Sequence, residues 1–192
     1  MPGPLPEILE QPVIPPPLHG VNPRTIMGRA DWDRMRRAVC ARHGYRCAAC
    51  GVASRQALFF PRLEAHERFS VDYRALQMHL IGIEPLCHAC HSFVHGGLME
   101  VRIATRQMSR ETAITILSHG VSVLSETRGK VPVVADKLCR ALGIRHGLAV
   151  APMPPRTPWK GWRMRWEGRD YASPYPSEAD WRRAMRARSV SG

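Results

Sequence analysis

A chain of 192 residues with 28 Lys and Arg against 16 Asp and Glu carries a formal net charge of +12, an excess that attracts polyanions. No run approaches the roughly 18 to 20 apolar residues needed to span a bilayer. Met1 to Leu9 also lacks the basic head and unbroken apolar stretch of a secretory signal, so a soluble, cytoplasmic protein is expected. Six cysteines in a reducing compartment suggest metal ligation before disulfides.

The first segment, residues 1–29, holds eight of the 17 prolines by residue 23. Its apolar side chains are scattered, so it reads as an extended, polyproline-like arm available to a protein partner rather than as core. A helix then starts near Asp31, with acids at the positive end of its dipole and Trp32, Met35, Ala38 and Val39 on one face, up to Gly44. Its other face offers Arg34, Arg36 and Arg37 to phosphates. Residues 24–50 contain seven arginines against Asp31 and Asp33, and residues 156–192 contain eight arginines and Lys160 against four acids. Arginine suits bidentate phosphate contact, so DNA is the expected partner, with RNA also admitted.

Cys47-Ala48-Ala49-Cys50 and Cys87-His88-Ala89-Cys90 are two Cys-x-x-Cys turns. Four thiolates fill the tetrahedral shell of Zn²⁺ and leave no position open, so Cys47, Cys50, Cys87 and Cys90 are expected to form a structural zinc site. Between them, Ala57 to Phe60 and Arg62 to Glu67 are strand candidates separated by Pro61 and read as a short hairpin. Phe69, Val71 and Tyr73 alternate in a third extended segment, and Leu76 to Leu86 leads to the second knuckle. Alternation along the middle strand puts Glu64 and His66 on one face. A short helix from Cys90 places His91 and His95 one turn apart, and Gly96-Gly97 stops it. His88, inside the knuckle, is expected to face solvent. Cys40 and Cys139 fit as small buried residues in helices.

Beyond residue 109, Ser109-Arg110-Glu111-Thr112 opens a helix expected to end at Gly120, and another runs from about Val133 to Leu142, before Gly143. From Ala151 the chain becomes a basic tail, residues 151–192, in which Trp159, Trp162 and Trp166 are interleaved with Lys160, Arg163 and Arg165. Those tryptophans can share one helical face or instead dock onto the core as a wrapping tail, a packing role expected ahead of base stacking. Arg163 and Arg165 are the nucleic-acid candidates of this tail. Residues 30–150 between the two arms form the expected folded domain.

The first Cys-x-x-Cys, Leu63-Glu64-Ala65-His66-Glu67, Leu86-Cys87-His88-Ala89-Cys90-His91 and His95 together resemble the zinc-stabilised members of the HNH nuclease superfamily. The likeness covers roughly residues 32 to 120 and extends to a bacterial and phage HNH-like subgroup, through Leu-x-Gly-Ile before the second knuckle and His-x-Gly after it. It implies an α+β fold in which a small zinc-stabilised ββα-metal core carries flanking helices and extended N- and C-terminal arms. It also implies DNA phosphodiester hydrolysis in the cytoplasm of a bacterium or a phage-infected host. In that scheme His66 is the general base, and His91 and His95, helped by Glu64, hold a catalytic Mg²⁺ or other divalent cation. An imidazole near pKa 6.5 suits proton abstraction, and a cation offsets charge at phosphorus. Ala65 stands where typical members carry an Asp or His ligand, and Gly82 where they carry Asn. The same pattern therefore also admits a catalytically inactive zinc module that binds nucleic acid or serves as a subunit of a phage or mobile-element complex.

Overall fold

The computed structural model describes residues 3–190; the extreme ends of the two predicted arms, residues 1–2 and 191–192, lie outside the described residues. The fold is mixed α and β. Asn22 caps the first helix, α1 (Pro23–Met27), through a reciprocal box with Thr25. Gly28, at φ 82°, separates it from α2 (Arg29–Arg42), which begins two residues before Asp31. Strands β1 (Leu63–Asp72) and β2 (Gln77–Cys87) follow, joined by a turn in which Asp72 Oδ1 accepts the N–H groups of Arg74 and Ala75, each at 2.9 Å. Next come α3 (His88–Val94), α4 (Gly96–Ala104), α5 (Arg110–Ser125) and α6 (Val133–Ala141). The chain closes with β3 (Arg163–Trp166), β4 (Arg169–Ala172) and α7 (Glu178–Val190). The sheet order is β1-β2-β3-β4. No helix among the described residues is long and apolar enough to cross a membrane.

Two compact units divide the chain along lines other than the three sequence segments. One unit gathers the N-terminal stretch to Gln11, Asp33–Arg68 and Ile83–Met153; the other gathers Pro12–Trp32, Phe69–Gly82 and the chain from Pro154. β1, β2 and α2 pass from one to the other. The expected polyproline arm is absent as such: Ile8 and Leu9 are 2% and 0% exposed and belong to the core of the first unit. Two isolated apolar residues suffice there because the short 3-10 turn Pro6–Glu10, started by proline, presents them together.

In the first unit, α3, α5 and α6 bury Phe93, Ile116, Leu117, Leu124 and Leu138 around the cysteine turns. α5 runs through Gly120, the residue expected to end it. Gly120 is there for space: a Cβ on it would lie 2.1 Å from Cδ2 of Phe93 on α3. α3 ends at Val94, just before the expected stop at Gly96-Gly97, and Gly96 opens the next helix, α4. The segment Ala57–Phe60 forms no strand, and β1 is one continuous strand from Leu63 that includes Phe69 and Val71.

The second unit is built around Leu18, Phe69, Met78, Trp162 and Met164. The tryptophan-rich stretch does not make a helical stripe. Glu167 and Gly168, both at positive φ, turn β3 back into β4, and β3 lies parallel to β2 with Met78 opposite Met164. Trp162 is 2% exposed, so this indole packs in the core. Trp159 Nε1 donates to the Tyr175 carbonyl at 3.0 Å.

Candidate metal centres

The first cysteine turn follows α2. Cys47 N–H donates to the Val52 carbonyl and Gly51 N–H to the Cys47 carbonyl, both at 2.9 Å, and Gly51 reverses the chain at φ 72°. Ala48 N–H bonds to the Pro85 carbonyl at 2.8 Å, which ties this turn to the end of β2. There Cys87 caps α3, its sulfur accepting the Cys90 N–H at 3.5 Å. Folding thereby collects all four Sγ atoms within 4.8 Å of one another. Cys50 Sγ and Cys87 Sγ are 3.8 Å apart, which matches the about 3.8 Å edge of a tetrahedron with Zn–S bonds of about 2.3 Å. The set can hold a metal such as zinc. His119 on α5 adds an outer contact, its Nε2 lying 3.3 Å from Cys90 Sγ. Its pKa is raised, chiefly by hydrogen bonding to the neighbouring Cys50 sulfur and against the effect of burial.

A second cluster lies in the same unit. β1 supplies His66, α3 supplies His91, and the residue ending α3 supplies His95; one ring nitrogen of each falls within 4.8 Å of the others. The Nε2 atoms of His91 and His95 are 3.2 Å apart, close to the about 3.3 Å separation of two imidazoles on a tetrahedral ion at about 2.0 to 2.1 Å. His66 is 1% exposed, and neither of its ring nitrogens has a hydrogen-bond partner among the described residues. Two unpaired nitrogens in a buried imidazole are costly, and a cation between the three rings would satisfy one of them. Burial, then the nearby His95 and His91, push the His66 pKa well below its ordinary value. Burial and His91 push His95 down to about 4. Both rings are therefore neutral near pH 7, the protonation state in which imidazole binds a metal.

Glu64 takes a different place from the one its spacing suggests. Buried positions along β1 fall at Leu63, His66 and Phe69, every third residue, so strict alternation does not hold. Glu64 Oε2 lies 2.8 Å from His91 Nδ1 and Oε1 lies 2.7 Å from His88 Nδ1. These bonds, that from His91 first, hold its carboxyl at about 2. An ionised carboxylate only accepts, so both Nδ1 atoms donate to it, which leaves His91 Nε2 on the side of His95. Glu64 orients a candidate ligand and stands outside the group of three. His88 is not simply solvent-facing: it bonds Glu64 and has Ser92 Oγ 3.4 Å from its Nε2.

A cleft of about 210 Å³ opens beside these groups, lined by Glu64, His91 and His95 and by two arginines, Arg62 and Arg102. Nothing in the spacing of Arg62, Arg102 and His119 marks them in the sequence. Arg34, Arg36 and Arg37 lie on α2, where Arg36 is 3.7 Å from Asp33. Arg163 and Arg165 lie on β3 and face Asp170, at 3.8 and 2.8 Å, which reduces the charge they can offer a phosphate.

No family model matches the chain, and no curated protein or solved structure matches it either.

Proposed function

We propose that the protein hydrolyses phosphodiester bonds of nucleic acid with a divalent cation held by His66, His91 and His95. Zinc at Cys47, Cys50, Cys87 and Cys90 then fixes the fold and takes no part in the reaction. The observation that supports this most is the group of three imidazoles beside an arginine-lined cleft, with both nitrogens of His66 buried and unpaired among the described residues. Three protein ligands leave a position open for chemistry, whereas four cysteines do not. A cation so placed supplies activation of water and neutralises charge on the scissile phosphate.

The chain's own residues divide the remaining work. Glu64 fixes the His91 ring through its Nδ1–H. Arg62 and Arg102, which line the cleft, pair with phosphate oxygens. His66, assigned by the resemblance to proton abstraction, becomes a ligand in this reading, because its 1% exposure keeps solvent from its ring. The donor set also changes the cation: nitrogen ligands suit Zn²⁺ or Ni²⁺, while Mg²⁺ prefers oxygen. The HNH resemblance agrees with the pairing of one strand histidine with two on the following helix.

The test is nicking of supercoiled plasmid in Zn²⁺, Ni²⁺, Mn²⁺ or Mg²⁺, with His91→Ala beside the native protein and one zinc per chain verified in both. Cleavage by the native protein and its loss in the variant are expected. If neither cuts while both keep zinc and shift DNA on a gel, hydrolysis is overturned and a zinc-built binding module, the reading that Ala65 and Gly82 favour, replaces it.

A further inference from the structure

The segment between the first cysteine turn and β1 exposes Leu58, Phe59 and Phe60 at 47%, 43% and 42%. Three large apolar side chains in succession are unusual on a surface. Phe59 is also held at φ 73°, a left-handed conformation that a non-glycine residue adopts at a free-energy cost and that concentrates at functional places. Packing does not explain the arrangement, because the rings stay well exposed.

What the rings touch relates them to the cleft. Phe60 and Phe59 meet the His88 ring edge-on, with centroids 4.7 and 5.7 Å away. His88 in turn bonds Glu64, which bonds His91. Arg62, which lines the cleft, has its guanidinium carbon 5.2 Å from the Phe60 ring centre. Exposed aromatic rings beside an arginine that stacks on one of them and lines the cleft, on a chain of net charge +12, match one kind of occupant: a nucleotide whose base is out of the helical stack while its phosphate meets arginine.

We infer that Leu58-Phe59-Phe60 is a base-stacking loop that takes an unpaired base of single-stranded nucleic acid and sets the neighbouring phosphate between Arg62 and Arg102. The inference rests on the phosphodiester reading of the cleft and names the substrate form that reading leaves open: single-stranded rather than fully paired.

The experiment measures fluorescence anisotropy of a labelled 12-nucleotide oligothymidine and of a blunt 12-base-pair duplex, using the full chain with its zinc and no added divalent cation. Phe60→Ala should weaken binding of the single strand by about 5- to 150-fold, the range expected for one lost stacking partner, and Phe60→Trp should restore it. Duplex binding should change by less than about 2-fold, because arginine contacts to a paired backbone do not involve the ring. Unchanged single-strand binding in Phe60→Ala with native zinc content overturns the inference, as do equal losses on both substrates or no single-strand binding by the native protein. Plasmid nicking is scored separately: nicking that survives in Phe60→Ala with unaltered oligothymidine binding sinks the loop and spares the hydrolase. Phenylalanine-dependent binding without any nicking does the reverse.

Discussion

Glu64 Oε2 sits 2.8 Å from His91 Nδ1, and that contact decides which nitrogen of the ring faces His95. Glu64→Gln keeps the shape but replaces a pure acceptor with an amide free to flip. Outer contacts of this kind typically carry 10- to 100-fold in metal affinity. Titration of Zn²⁺ or Ni²⁺ into protein with its cysteine site already filled should show the second site weakened by about that factor in Glu64→Gln. Equal affinity would leave Glu64 without the orienting role.

His119 predicts an effect on the cysteine site alone. Its Nε2 is 3.3 Å from Cys90 Sγ, where it eases negative charge on a thiolate. His119→Ala should release zinc to a chromophoric chelator about 10-fold faster or more, with the second site unchanged. Stripping the cysteine metal altogether should unfold the first unit, seen as lost helix signal, since the cysteine turns sit within its core.

Packing of α3 against α5 depends on one absent methyl group. A Cβ at Gly120 would fall 2.1 Å from Phe93 Cδ2, and Phe93 is fully buried. Gly120→Ala should therefore cost at least about 1 to 3 kcal/mol of stability despite the better helix propensity of alanine. Urea unfolding measures it, and a stabilised variant would mean the two helices have room to part.

Leu9, fully buried in the first unit, gives the N-terminal stretch a measurable share of the core. Leu9→Ala should lower stability by about 2 to 5 kcal/mol. A change below about 0.5 kcal/mol would restore the picture of a free arm.

The turn between β1 and β2 predicts a pH dependence. Bonds from the N–H groups of Ala75, first, and Arg74 hold the Asp72 carboxyl below its usual range. A depressed carboxyl contributes stability that is fully present above the unfolded pKa, near 3.9, and is lost as pH falls through the lower folded value. The melting difference between native protein and Asp72→Ala should thus be constant near neutrality and shrink below about pH 4.

The sequence alone determined what depends on covalent spacing. Two Cys-x-x-Cys turns present thiols in pairs whatever surrounds them, and His91 and His95 share a helical face because 3.6 residues make a turn. The helices opened by Ser109 and closed before Gly143 follow from caps and periodicity, and Cys40 and Cys139 are buried as small apolar residues. Only the tertiary structure decided the contacts between segments far apart in the chain. Glu64 meets His88 and His91 across 24 and 27 positions, and His119 reaches Cys90 across 29, neither with any local signal. Gly120 reads as a helix end until Phe93 shows why a side chain cannot fit there. Ile8 and Leu9 look too few to matter until a core encloses them, because burial depends on what the rest of the chain brings to a residue rather than on its neighbours in sequence.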